Sequence, residues 1–311
     1  MNQTGAALVD TTVSSRLDSL IDLRAAVEAR LESLSPAPGS SHLADAVRYT
    51  LLAPGKRTRP VLTLLCARRF GGEVSDALDA ACAFEMVHGA SLAFDDLPCM
   101  DDARLRRGRP TTHVRFGEDA AVLAGVALLN EAYGVLGRCE RLPDSVARRL
   151  VATLASAVGL EGLVGGQMRD LRETTGGTAD TLETLNHAKT GTLFCAAGEA
   201  GAVIGGASPR EVKAVCAFAR HVGAAFQIRD DLLDGASAEV AGKDVRQDLN
   251  KPTFVSLLGL DGARRRLADH KAAAAAALDA IGGPGELGVF SDGMLAVDWL
   301  NTAGVGGRVP A

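Results

Sequence analysis

The stretch from Ser75 to Asp96 constrains the fold of this 311-residue chain more than any other. On a helix at about 100° per residue, Leu78, Ala81, Glu85, His88 and Leu92 share one face, while Ala83, Val87, Ala90 and Phe94 make a second, apolar one. A helix that is apolar on both sides has to be buried. It carries Glu85, His88 and, at its end, Asp95 and Asp96 into the interior, where unpaired charge is costly.

Pro98 stops that helix, because it lacks a backbone donor and its ring clashes with the carbonyl of Phe94. On an unbroken helix Asp101 would point about 120° away from Asp95; a kink or loop after Pro98 can bring the two carboxylates together. A second helix is expected from about Pro209 to Asp234. Its stripe of Val212, Val215, Ala219, Val222 and Phe226 is bordered by Gln227, Asp230 and Asp234, an arrangement suited to the mouth of a cavity between helices.

Elsewhere apolar residues also recur at three- and four-residue intervals, with no alternating strand runs and no internal repeat. Breaks fall at Ser35 to Ser41, Pro54-Gly55, Gly176-Gly177, Gly205 to Pro209 and Gly282 to Gly285, with a Gly-rich tail from Gly304. No compositional step marks a second domain. A chain of this length that is 47% hydrophobic can bury a core without disulfide or metal staples.

The net charge of -5 lacks the basic footprint of a nucleic-acid binder. The six cysteines (Cys66, Cys82, Cys99, Cys139, Cys195, Cys216) show neither CxxC nor zinc spacing, and read as buried free thiols in a reducing cytoplasm. The first fifteen residues contain no Lys or Arg and no apolar core, unlike a secretory signal. Ala120 to Asn130, an uncharged apolar run, is closed by Asp119 and Glu131 well short of the roughly 18 residues a membrane span requires.

The two helix ends carry the chemistry. In Asp95-Asp96-Leu97-Pro98-Cys99-Met100-Asp101-Asp102 and in Asp230-Asp231-Leu232-Leu233-Asp234, crowded carboxylates repel unless cations bind. Oxygen donors without Cys or obligatory His point to a hard cation, Mg²⁺ before Zn²⁺ or Cu²⁺. One such cluster is often a solvated acidic edge; two, each ending an apolar helix, are harder to dismiss. Neither has the alternating ligands, central Gly and distant Glu of an EF-hand.

Basic groups answer them. Gly55-Lys56-Arg57-Thr58-Arg59-Pro60 precedes an apolar helix, Leu105-Arg106-Arg107-Gly108-Arg109-Pro110 follows the first acidic cluster, and Lys189-Thr190, Lys243 and Lys251 form a dispersed third set. Singly each is an ordinary surface charge. Acid and base around one cavity together suit diphosphates, some bridged by metal and some bound directly.

These residues, in this order, resemble a known family. DDLPCMDDARLRRGRPTTH (95–113), GKRTRP (55–60), HAKTGTLF (187–194), FQIRDDLLD (226–234), GKD (242–244) and NKPT (250–253) are similar to the motifs of the trans-isoprenyl diphosphate synthases, most closely the bacterial geranylgeranyl diphosphate synthases. The likeness extends over about Ala44 to Leu260. It implies an all-α fold, one large antiparallel helical bundle around a deep central cavity, usually paired as a homodimer. The expected synthase domain spans 16–302, with a disordered N-terminus at 1–15 and a flexible tail at 303–311.

Carried over, the resemblance implies that Asp95, Asp101 and Asp230 coordinate Mg²⁺, three ions around a bound allylic diphosphate, with Asp96 and Asp234 supporting. Arg106, Lys189, Thr190, Gln227, Lys243 and Lys251 would contact that diphosphate; Lys56, Arg59, His88 and Arg107 would hold isopentenyl diphosphate without metal. Asp95, Asp96, Asp101, Lys189, Asp230 and Lys243 make the expected catalytic set.

Product length in the family depends on the room below the first Asp cluster. Where bacterial farnesyl synthases carry an aromatic residue, this chain has Ala90, followed by Ser91; helix geometry places Ser91 and Val87 more directly beneath Asp95. Small residues there imply a C20 product, with C15 as the alternative. Phe94 departs from the His and Asn250 from the Gly of many relatives, and the tail retains only Arg308 as a cation. A class I terpene cyclase and an inactive subunit of a heteromeric synthase are competing readings; Lys56, Arg59 and the second Asp cluster argue against the first, and the retained aspartates against the second.

Overall fold

The computed structural model describes residues 20–172, 177–241 and 252–296, without the side chains of 234–241. These residues are overwhelmingly helical, so the all-α class holds. They group into two compact units: Asp22–Ala157 with Ala196–Ser208, and Val158–Cys195 with the described residues before Asp22 and after Ser208.

The first unit contains α1 (20–34), α2 (His42–Leu51), α3 (Thr58–Arg69), α4 (Val74–Asp95), α5 (Thr112–Phe116), α6 (Glu118–Gly137) and α7 (Asp144–Val158). Helix α4 is the element expected over Ser75 to Asp96. It is buried along its length, from Ala77 through Phe84, Glu85, Met86 and Val87 to Ala93. Its alanines let α3 and α6 pack close, and each fully buried large side chain such as Phe84 or Leu62 contributes about 1.5–3 kcal/mol.

Helix α4 ends where Pro98 requires. The chain then folds back: Asp101 N–H donates to the Asp95 carbonyl at 2.9 Å and Ala103 N–H to the Asp96 carbonyl at 3.2 Å. The break thus brings Asp101 against the helix end, as the sequence suggests.

Next comes a hairpin that periodicity does not reveal. Strand β1 (Leu105–Arg106) pairs antiparallel with β2 (Arg109–Pro110), Arg106 opposite Arg109. Arg107 (φ 52°) and Gly108 (φ 74°) make the turn, both left-handed as a tight two-residue hairpin demands. Two-residue strands are too short to show alternation.

Helix α6 is apolar on nearly all sides. The uncharged run within it is short, yet the whole helix is long and apolar enough to cross a membrane; 44% of its most apolar window is buried, against α2, α4 and α5. The 144–172 stretch passes the same test and is interrupted by the turn at 159–162.

The second unit holds α8 (Leu163–Arg172), α9 (Ala179–Asn186), a π-helical turn (His187–Gly191), the start of α10 (Thr192–Ile204), α11 (Pro209–Ala241), α12 (Phe254–Asp279) and α13 (Gly285–Leu295). Leu182, Leu185, Ile228, Phe254 and Ala263 form a core cluster. Helix α11 continues seven residues beyond the expected Asp234, since no proline follows to stop it. Helix α12 starts with a capping box, in which Thr253 and Ser256 accept each other's amide N–H at 3.0 and 2.9 Å.

No cysteine forms a disulfide. Cys66, Cys82 and Cys139 are buried as expected, but Cys99 is exposed and Cys195 and Cys216 only partly buried. Cys99 sits in the turn that Pro98 initiates, outside the helical packing.

Candidate functional site

Asp96 is 3% exposed and accepts from Arg106 through Nε at 2.8 Å and Nη2 at 2.6 Å. The hairpin delivers that guanidinium to the end of α4. Burial alone would lower the Arg106 pKa; the Asp96 hydrogen bond and the charges of Asp96, Asp95 and Asp101 overcome it, leaving the pKa raised.

A second cluster of cations lies in the same unit. Arg57, 5% exposed with φ 51°, pairs with Glu85 at 2.8 Å and Glu28 at 2.9 Å. Burial opposes its charge and the two carboxylates more than restore it. Arg57 is therefore the partner that buried Glu85 requires.

Arg59 and Arg107 behave in the opposite way. Burial lowers both pKa values, Glu85 offsets part of the drop, and neighbouring arginines depress them further. The buried Arg59 Nε has no hydrogen-bond partner. His88 is held well below its usual 6.5 by burial and then by Arg59, Arg107, Arg57 and Arg106, so its imidazole is neutral.

Arg107 donates to the Pro54 carbonyl, and a Cβ on Gly55 would stand 2.6 Å from its Nη1. Glycine at 55 therefore lets the Gly55–Pro60 segment, with half-buried Lys56, and the hairpin form one surface. Arginines that depress one another create a positive potential fitted to an anion, and their planar forks match phosphate. A small cavity of about 50 Å³ opens beside Asp96, Arg106 and Arg107.

Below Asp95 on α4, Ser91 is half-buried and donates to the His88 carbonyl at 2.9 Å. Val87 and Ala90 are fully buried.

The second unit presents a different set. Lys189 lies on the π-helical turn, an irregularity frequent at functional sites. Its Nζ bonds Asp170 Oδ2 of α8 at 2.6 Å. A Cβ on Gly166 would come within 2.3 Å of the Lys189 amide nitrogen, so only glycine lets α8 lie against this turn. Thr190 and Gln227 line a cavity of about 280 Å³.

The second Asp cluster divides its labour. Asp230 is reached by Arg229 at 2.5 Å and remains 40% exposed at its side chain. Asp231 instead accepts the Phe254 N–H at 2.7 Å and so caps α12. The side chain of Asp234, all of Lys243 and Lys251, and the terminal segments 1–15 and 303–311 lie outside the described residues.

Among the described residues, no three of His, Cys, Asp and Glu cage a metal. Mg²⁺ does not need such a cage, because one or two carboxylates with waters and substrate phosphates complete its shell. The oxygen-only donors of Asp95 and Asp101, on backbone segments joined by a hydrogen bond, fit that requirement.

Asp170 and Glu28 were not anticipated from sequence. The signal for Asp170 was available in Gly165-Gly166, a pair that a helix retains only for close packing. Glu28 sits on a helix whose apolar stripe gives no hint that one acid turns inward.

The family model described as polyprenyl synthetase matches residues 40–278. A geranylgeranyl diphosphate synthase of Pantoea ananas is 45% identical over 257 residues, covering 81% of this chain and 84% of that protein. A farnesyl diphosphate synthase of Geobacillus stearothermophilus is 46% identical over 242 residues, covering 76% and 82%. Among solved structures, an FPP/GFPP synthase of Zymomonas mobilis superposes with a TM-score of 0.79 at 32% identity, covering 91% of this chain and 98% of its own.

Proposed function

This chain belongs to the polyprenyl synthetase family, and from that premise we propose that it is a geranylgeranyl diphosphate synthase. It condenses an allylic diphosphate (dimethylallyl, geranyl or farnesyl) with isopentenyl diphosphate, head to tail, releasing diphosphate. The observation that carries the reading is the cation cluster of Arg59, Arg107 and neutral His88 beside the Asp96–Arg106 pair. It suits a second, metal-free diphosphate substrate that a terpene cyclase has no use for.

In this reading Asp95, Asp101 and Asp230 hold Mg²⁺, with Asp96 and Asp234 in support. Bound Mg²⁺ supplies charge that stabilises the diphosphate as the allylic C–O bond breaks. Arg106, Lys189, Thr190, Gln227, Lys243 and Lys251 orient the leaving diphosphate, adding positive charge where negative charge develops. Arg59, Arg107 and Lys56 hold the isopentenyl diphosphate, and the uncharged His88 can donate a hydrogen bond to it.

The isopentenyl double bond then attacks the allylic C1, and loss of a proton from the new chain regenerates an allylic product; the departed diphosphate takes the proton. Leu92 and Ala93, which line the cavity beside Asp96, contribute no nucleophile to intercept the cation.

Chromatography of products from dimethylallyl and isopentenyl diphosphates tests the proposal. Mainly C20 product supports it, and mainly C15 product replaces it with the farnesyl reading favoured by the Geobacillus relative. Turnover without isopentenyl diphosphate would instead indicate a cyclase, and a folded, inactive chain a regulatory subunit.

The working enzyme is proposed to be a cytoplasmic homodimer of one synthase domain. Val122, Leu123 and Val126, 40%, 53% and 53% exposed, line one face of α6 and offer an apolar surface to a second copy.

A further inference from the structure

Phe94 immediately precedes Asp95, and its ring is seated against the backbone of α6. A Cβ at Gly125 would lie 2.5 Å from the ring Cζ, 2.6 Å from Cε1 and 3.1 Å from Cε2. Contacts under about 3.4 Å between carbon atoms are repulsive, so the ring occupies the notch that the glycine leaves. Gly125 is itself buried in an otherwise regular helix, where glycine costs about 1 kcal/mol relative to alanine. Its helical geometry does not require glycine; the seating of Phe94 does.

The ring matters because of where it would otherwise go. On α4, Phe94 lies roughly 100° round from Asp95, one step beside the column of Asp95, Ser91 and Val87. Of the neighbouring positions, Ala90 is fully buried and leaves no space on the far flank. Asp95 and Ser91 are only half-buried, so a displaced ring turns toward their face.

We propose that Phe94, held aside by the notch at Gly125, is a residue that sets product length, and that glycine at 125 keeps the Asp95–Ser91 face of α4 clear for the growing prenyl chain. The inference rests on the prenyltransferase reading above but not on the absolute length of the product.

The test compares products of the wild type, Gly125→Ala, and Gly125→Ala combined with Phe94→Ala, with thermal melts to confirm folding. Gly125→Ala is expected to shorten the main product by one five-carbon unit, and the double variant to restore the wild-type length. Unchanged length in Gly125→Ala overturns the inference, as does shortening that persists when Phe94 is removed, since the methyl group would then act without the ring. Should Gly125→Ala not fold alone, the double variant is compared with Phe94→Ala: equal product lengths are expected, and a shorter product from the double variant overturns the inference. A wild type that stops at C15 defeats the C20 reading alone, because shortening to C10 and its rescue still decide the role of Phe94.

Discussion

Arg106 and Asp96 are joined twice, through Nε and Nη2, at the end of a helix buried almost throughout. One carboxylate of the first acidic cluster is thus paired before any metal arrives. Removing the guanidinium in Arg106→Ala leaves Asp96 buried and uncompensated, an effect of about 1–3 kcal/mol. The loss should fall near the lower end, because the Arg106 side chain is 36% exposed. Thermal melts should show the deficit, and added Mg²⁺ should reduce it in the variant more than in the wild type.

Lys189 owes its position to Asp170 and to the absence of a side chain at Gly166. A charge-assisted hydrogen bond of this kind contributes about 1.5–3 kcal/mol, so Asp170→Asn should lower kcat/KM for the allylic substrate by about 10- to 100-fold. The KM for isopentenyl diphosphate should stay near the wild-type value. Equal losses for both substrates would mean that Asp170 supports the fold and does not orient Lys189.

His88, His187 and His221 are all shifted down, each chiefly by burial. The unfolded chain therefore binds more protons than the folded one just below the ordinary histidine pKa of about 6.5, and stability falls as pH drops through that range. Urea denaturation at stepped pH should show this slope, and His88→Gln should flatten it by up to one proton. An unchanged slope would contradict the burial of a neutral imidazole.

The exposed face of α6 should report on assembly. Leu123→Glu with Val126→Glu places two charges where an apolar contact between copies is proposed, and sedimentation velocity should show a monomer where the wild type is dimeric. Both positions are about half exposed, so the isolated fold should tolerate them.

Ala90→Tyr should shorten the product and lower stability together. Position 90 is fully enclosed, and overpacking of this kind costs about 1–3 kcal/mol. Product of wild-type length from a folded variant would show that Ala90 does not set the limit.

The apolar faces of α4 and the stripe of α11 were legible because a 3.6-residue period survives over several turns, and Pro98 made the end of α4 legible to within a residue. The hairpin was not, since two-residue strands have no period to read. Asp231 illustrates a subtler limit. In sequence it is one more member of an acidic cluster; in the fold its carboxylate is occupied by the Phe254 amide, a partner 23 residues away. Glu28 is illegible for the same reason, because a single acid on an amphipathic helix does not announce which basic group it meets; at Asp170 the Gly165-Gly166 pair signals the close packing but not the lysine that it brings near. The buried state of Glu85 was foreseeable, and the identity of its partner was not.

Three non-glycine residues among those described adopt left-handed backbone conformations: Arg57, Asp102 and Arg107. Each costs of order 1–3 kcal/mol relative to a relaxed backbone, and each stands in a segment that bears on diphosphate or metal. At Arg57 the pairing with buried Glu85 outweighs the backbone strain, but at Arg107 stability selection and turnover selection should disagree. Glycine at 107 would relax the hairpin and raise the melting temperature while removing a guanidinium from the anion cluster. Enrichment for heat resistance alone should drift toward glycine there, and the variants it yields should be hardy proteins that handle substrate poorly.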